Sequence, residues 1–289
     1  MNFSNPVIRP PSEARSILLQ ITHGCSHNRC TFCPAYKQIP FSIRDTESIT
    51  RELHFIAAHQ RENRKLFLCD GDALILPQDR LLDILEKIRS ILPDVTRVGT
   101  YANAKSIAGK TDPELKELNE LGLKIVHMGL ESGDDRVLKR VGKWGDCKEI
   151  ITQGQRVRNA GIKLFVTVLL GLGGKKRSSA HAENTGKALS QISPEYTGAL
   201  TLIPCEGTFL HDEILAGDFT LPSPGELLAE LRLLLCTTHI SRGLFYANHA
   251  SNYLPLRIRL PGDKESALAT IDAALKKRIT ITPEWMRGL

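Results

Sequence analysis

Short apolar runs alternate with longer stretches whose apolar residues recur every three or four positions, and this rhythm repeats six times between Ser16 and Ile203. The runs at 16–22, 65–69, 95–101, 124–130, 163–170 and 197–203 are predicted strands, too apolar on both faces to border water. The segments at 45–60, 80–92, 112–121, 148–160 and 178–192 are predicted helices. In the first of them Ile49, Leu53, Ile56 and Ala57 share one face behind the capping residue Asp45. Pro113 stands in the first turn of the third, and Gly161 ends the fourth.

Strands buried on both faces and separated by helices imply a parallel sheet with crossover helices, either an open doubly wound sheet or a barrel. No linker rich in Gly, Pro or Ser divides the block. From Pro204 the rhythm changes to a leucine-rich helix at 224–240, a polar-aromatic loop, a short strand at 256–260 and a last helix at 264–277. The expected organisation is a core at 1–205 and a C-terminal α/β extension at 206–289.

At 289 residues, 42% hydrophobic and 24% charged, the composition is that of a globular α/β protein and excludes fibrous and disordered classes. No apolar run approaches the roughly 20 residues that cross a bilayer, and the N-terminus lacks a basic region followed by an apolar one. A cytoplasmic protein with no membrane association is expected. The net charge of +6 permits an anionic partner, nucleic acid included, without requiring one. Three of the seven cysteines are clustered, which fits a metal site in a reducing compartment better than a disulfide framework.

That cluster is Cys25-Ser-His-Asn-Arg-Cys30-Thr-Phe-Cys33, directly after the first strand. Three thiolates so spaced can hold three irons of a four-iron cluster and leave the fourth without a protein ligand. A structural zinc site is the other reading, but it needs four ligands, usually as two separated pairs. Here Cys69, Cys147, Cys205 and Cys236 stand alone, and His23 and His27 crowd the same loop.

The three cysteines, Phe32 before the last of them, and their place after a first strand resemble the radical S-adenosylmethionine (SAM) superfamily. The family's usual spacing is C-x3-C-x2-C; this chain has C-x4-C-x2-C. The resemblance implies a (β/α)6 partial TIM barrel, with Cys25, Cys30 and Cys33 as ligands of a [4Fe-4S] cluster and Phe32 beside the cofactor. Asp70-Gly71-Asp72 is similar to the family's glycine-rich segment that holds the SAM amino group, with Asp72 in the place of its final Glu. Gly129-Leu-Glu-Ser-Gly133 resembles a segment of the MiaB and Elp3 branch and implies that Glu131 and Ser132 lie near SAM. Gly171, in the run Gly171-Leu-Gly-Gly174, is implied to let backbone approach the adenine. Thr100-Tyr-Ala-Asn103 is a candidate wall for adenosine or substrate, and Lys143 and Arg158 are candidate cations for the SAM carboxylate. The polar loop Asn248-His-Ala-Ser-Asn-Tyr253 either lines a pocket or caps the barrel.

The resemblance further implies SAM as a cofactor, reductive cleavage to a 5′-deoxyadenosyl radical, and hydrogen abstraction from a substrate. An electron donor of the flavodoxin or ferredoxin type is implied as partner. A small molecule or a tetrapyrrole-like compound is the expected substrate. A non-catalytic iron-sulfur or haem-handling protein and an RNA-modifying enzyme remain as alternatives, the latter less favoured because no additional cluster or RNA-binding domain is seen.

Overall fold

The computed structural model describes residues 7–59 and 63–288. In chain order its principal elements are β1 (Ile17–Gln20), β2 (Thr22–His23), β3 (Ser42–Ile43), α1 (Thr46–His59), β4 (Lys65–Cys69), α2 (Gln78–Ile91), β5 (Arg97–Ala102), α3 (Ala104–Ala108), α4 (Asp112–Glu120) and β6 (Leu123–Glu131). They continue as α5 (Asp135–Arg140), α6 (Cys147–Asn159), β7 (Lys163–Leu170), α7 (Gly174–Ile192), β8 (Tyr196–Thr201), α8 (Phe209–Leu215), α9 (Pro224–Thr237), β9 (Gly243–Tyr246), β10 (Arg257–Leu260) and α10 (Lys264–Leu275). Eight strands form a mostly parallel sheet in the order β1-β4-β5-β6-β7-β8-β9-β10, in which the β9–β10 pair runs antiparallel.

The chain divides into two compact units. The first comprises residues up to Asn28, Ala35–Met128 and Arg156–Leu164; the second comprises Arg29–Pro34, Gly129–Gln155 and Phe165–Leu289. In the first unit, β1 pairs with β4 from Ile17 opposite Leu66 to Gln20 opposite Cys69, and β4 pairs with β5. Leu19, Leu66 and Phe67 on these strands are fully buried with Ile49, Leu53 and Ile56 of α1, the face the periodicity predicts. In the second unit β7 pairs with β8 over six residues, and β8 with β9. Leu234 and Leu235 of α9 and Leu189 of α7 are fully buried in that unit.

Two helices begin as their sequences dictate. Thr111 and Glu114 form a reciprocal capping box at α4, and Ser223 and Glu226 do so at α9, each with proline in the first turn. Other elements differ from expectation. The first predicted strand breaks after Gln20, and Thr22–His23 pairs with β3 in a small separate sheet. Residues 243–246, read as part of a loop, form β9 and continue the parallel sheet. Four residues opened by a glycine are too few to show a period. The short helices α3, α5 and α8 are likewise below the length at which periodicity speaks. Among the described residues no helix is long and apolar enough to cross a membrane.

Candidate functional site

The first half of the cysteine loop is held by the end of β4. Asp70 has left-handed backbone (φ 75°), and its Oδ2 accepts from Gln20 Nε2 at 3.0 Å and from the Gly24 N–H at 3.0 Å. The Gly71 N–H donates to the Gly24 carbonyl at 3.0 Å. Gly71 is required by space: a Cβ there would stand 2.8 Å from Cys25 Cβ and 2.9 Å from Tyr36 Cε2. Asp72 is wholly buried, accepts from Ser26 Oγ inside the loop, and accepts from Asn103 Nδ2 at 2.7 Å. Burial pushes its carboxyl up to about 6, against the donors from Ser106, Ser26 and Asn103. Asp70 is also pushed up by burial, opposed by Gln20 and Gly24. These two carboxylates act on the loop: one fixes Gly24, the other fixes Ser26, on either side of Cys25.

The longer spacer between Cys25 and Cys30 is accommodated by Asn28. This residue is left-handed (φ 39°), a conformation asparagine tolerates, and its Nδ2 donates to the Tyr36 carbonyl at 2.6 Å.

The second half of the loop belongs to the second unit. The Thr31 N–H donates to Val141 O at 2.9 Å, and Thr31 O accepts from the Leu210 N–H at 3.1 Å. Phe32 packs against the cluster formed by Val137, Val141, Leu172, Leu202, Leu210 and Phe219. Backbone ladder and aromatic anchor together fix the stretch from Cys30 to Cys33.

In the Gly129–Asp134 segment the two expected site residues part company. Glu131 is left-handed (φ 63°) and partly exposed, and its Oε1 lies 3.0 Å from Lys143 Nζ. Ser132 is wholly buried, with Oγ 2.7 Å from His181 Nδ1 and accepting the Asp134 N–H at 3.0 Å. At Gly171 (φ 84°) the N–H donates to Glu230 Oε1 at 2.5 Å, and a Cβ would meet Leu227 at 3.0 Å. The N–H and the face opened by the missing side chain are both occupied by α9. Arg158 lies in the last turn of α6.

His181 and Glu230 face each other at 3.5 Å, both fully buried. Burial lowers His181 to about 4 and pushes Glu230 up to about 7. From roughly pH 4.5 to 7 the folded chain keeps a proton on Glu230 that the unfolded chain releases, so this carboxyl's contribution to stability falls as pH rises through that window. His181 acts in the opposite sense between about pH 4 and 6.5. Comparing a Glu230 variant with wild type separates the two. Glu230→Gln keeps an acceptor for Gly171 and can donate to Ser178. It is expected to match wild type near pH 4.5 and to exceed it at pH 8 by on the order of 3 kcal/mol. Urea unfolding at the two pH values checks this; a gap that does not grow with pH contradicts it.

Residues expected to form a wall or pocket turn inward. Asn103 serves Asp72 and caps α3 by accepting from the Ser106 N–H at 2.9 Å. Tyr101 stacks edge-on with Phe67 at 5.1 Å and with His127 at 5.8 Å. In the loop after β9, Asn252 Nδ2 donates to Ala199 O, Thr201 Oγ1 donates to Asn252 Oδ1, and Ser251 Oγ accepts the Thr201 N–H, so these side chains fasten the end of β8. Ser26, Asn28, Tyr36, His181 and Glu230 enter the site only through the fold. An Asn in a spacer one residue longer than usual was a signal for the turn; nothing local marked His181 or Glu230, which meet across separate helices.

The donor set fits a four-iron cluster: three cysteines on one loop whose halves are anchored, a glycine that admits Cys25, and none of the chain's described cysteines in a disulfide. Among the described residues no three His, Cys, Asp or Glu side chains are gathered about one point as a metal-ion site. A cluster differs in spreading its thiolates over separate irons.

The model of the Radical SAM superfamily matches residues 19–183. The heme chaperone HemW of Bacillus subtilis (strain 168) is 22% identical over 189 residues, 64% of this chain and 48% of that protein. Among solved structures, coproporphyrinogen III oxidase (HemN) from Escherichia coli aligns with a TM-score of 0.57 at 16% identity, covering 76% of this chain and 51% of that one. Methylornithine synthase (PylB) aligns with a TM-score of 0.54 at 14% identity, covering 78% and 63%. The chain thus spans about half the length of the heme chaperone and of the oxidase. The two solved structures share its α/β partial-barrel fold.

Proposed function

The chain belongs to the radical SAM superfamily, enzymes that work with a [4Fe-4S] cluster and SAM, and we propose that it cleaves SAM reductively to abstract hydrogen from a small, tetrapyrrole-like substrate. The observation that carries this reading is the way Asp70, Gly71 and Asp72 seat the Cys25 side of the cysteine loop. When bound, cluster and SAM supply one-electron cleavage of the sulfonium bond and a 5′-deoxyadenosyl radical; positioning and the exclusion of water fall to the protein.

Cys25, Cys30 and Cys33 are the cluster ligands in this proposal. Phe32 braces the last two from the apolar cluster behind it. Glu131, partly exposed and paired with Lys143, is the side chain offered to SAM. The backbone at 70–72 is the second contact, with the Asp70 and Asp72 carboxylates holding that backbone against the loop. Ser132 and Gly171 act from behind, fixing the Gly129–Asp134 segment and the start of α7 through His181 and Glu230. Residues 1–205 are taken as the core and 206–289 as the extension. A flavodoxin- or ferredoxin-type protein is the proposed electron donor, and the cytoplasm the proposed compartment.

The tetrapyrrole assignment draws on the names of the heme chaperone and the coproporphyrinogen III oxidase. The same likeness favours one second reading, a haem-handling protein that binds but does not turn over. The two separate in one assay. With reconstituted protein, SAM and dithionite, coproporphyrinogen III is expected to raise the rate of 5′-deoxyadenosine formation above the rate without it. Tight haem binding with no stimulated nucleoside release would favour the second reading, and the absence of both responses would rule out the tetrapyrrole class.

A further inference from the structure

Tyr36 lies outside the cysteine motif and has no role in the reading above. Its side chain is only 6% exposed, yet its hydroxyl has no hydrogen-bond partner. Buried phenols find a partner in nearly all folded proteins, so an orphan of this kind points to an acceptor that arrives later. The residue's position is tightly specified. Its carbonyl accepts from Asn28 Nδ2 at 2.6 Å and from the Ile39 N–H at 3.0 Å, which ties it to the spacer of the cysteine loop. Its ring edge approaches the same point as Cys25: an added Cβ on Gly71 would be 2.9 Å from Tyr36 Cε2 and 2.8 Å from Cys25 Cβ. The two atoms are therefore less than about 6 Å apart, and Cε2 neighbours the carbon that bears the hydroxyl.

From this geometry we infer that the Tyr36 hydroxyl donates a hydrogen bond to a sulfur on the Cys25 side of the bound cluster and raises its reduction potential. Cluster sulfurs are acceptors, and a donor to them stabilises the more negative, reduced state, so hydrogen bonds to sulfur are among the protein's means of setting potential. Asn28 then has two duties. It lets the four-residue spacer turn, and through the Tyr36 carbonyl it fixes where the phenol stands. Tyr36 acts on electron entry through the cluster and touches no substrate. The inference rests on the cluster proposed above.

The test uses the full chain reconstituted anaerobically, with iron content, an EPR-monitored redox titration, and proton ENDOR in H2O and D2O. Tyr36→Phe is expected to keep the wild-type iron content, shift the midpoint to a more negative value, and lose one exchangeable proton coupling. A full cluster with unchanged midpoint and couplings overturns the inference while leaving the cluster assignment standing. Wild type that takes up no iron overturns both. If the Phe variant loads poorly, 3-fluorotyrosine introduced at position 36 decides: its more acidic phenol is a stronger donor, so the midpoint should move positive. An unmoved midpoint there overturns the inference.

Discussion

Replacing Cys25, Cys30 and Cys33 together by Ala will lower the iron bound after anaerobic reconstitution from about four per chain to near zero. The same experiment on a chain with Cys69, Cys147, Cys205 and Cys236 changed to Ser will leave the iron count unchanged. The contrast follows from position. Cys69 is buried in β4 with its thiol donating to Phe67 O and pushed up by burial, and such a thiol is a poor ligand. Cys25, Cys30 and Cys33 sit on a partly exposed loop that two independent sets of bonds hold in place. Iron lost from the four-serine variant, or retained by the triple alanine variant, would show the ligands to be misassigned.

Gly71→Val is expected to have the second largest effect. The obstacle is steric. Gly71 has no left-handed backbone to protect, and the new Cβ alone would stand 2.8 Å from Cys25 Cβ and 3.2 Å from its Cα. Two of the atoms it meets are Cα and Cβ of Cys25 and the third is Cε2 of Tyr36 at 2.9 Å, so the loop at Cys25 must shift along with that ring. Overpacking of this kind costs about 1–3 kcal/mol. The larger consequence is for iron loading, since Cys25 is one of the three proposed cluster ligands. Iron content should fall well below that of wild type, while far-ultraviolet circular dichroism stays the same. A Gly71→Val protein that loads iron fully would mean that β4 and the cysteine loop are not packed as described.

The parallel strand-and-helix order was legible because its strands are buried on both faces and its helices show a clear period. Leu66, Phe67 and Leu68 on β4, and Ile49, Leu53 and Ile56 on α1, are buried as that pattern requires. The cysteine loop was legible as spacing alone. What escaped was everything decided by residues distant in sequence. Asp72 reads as an acid at a strand end, but its carboxylate is spoken for by Ser26, 46 residues earlier, and by Asn103, 31 residues later. Ser132 reads as a polar group at a barrel mouth and is bonded to His181, 49 residues away. Gly171 reads as an opening for a ligand and is covered by Leu227 and Glu230 of α9. Periodicity reports which face of an element is buried; it carries no information on which partner arrives there.

The most direct test is nucleoside analysis of the reconstituted protein incubated anaerobically with SAM and dithionite, with the Cys25, Cys30 and Cys33 triple alanine variant as control. Slow formation of 5′-deoxyadenosine above the control is expected without any added substrate, because abortive cleavage needs only the cluster, SAM and an electron. Methylthioadenosine should be measured in the same run, since cleavage of a different carbon–sulfur bond of SAM would release it instead. A protein with a full, reducible cluster and measurable SAM binding that releases neither nucleoside would contradict the account.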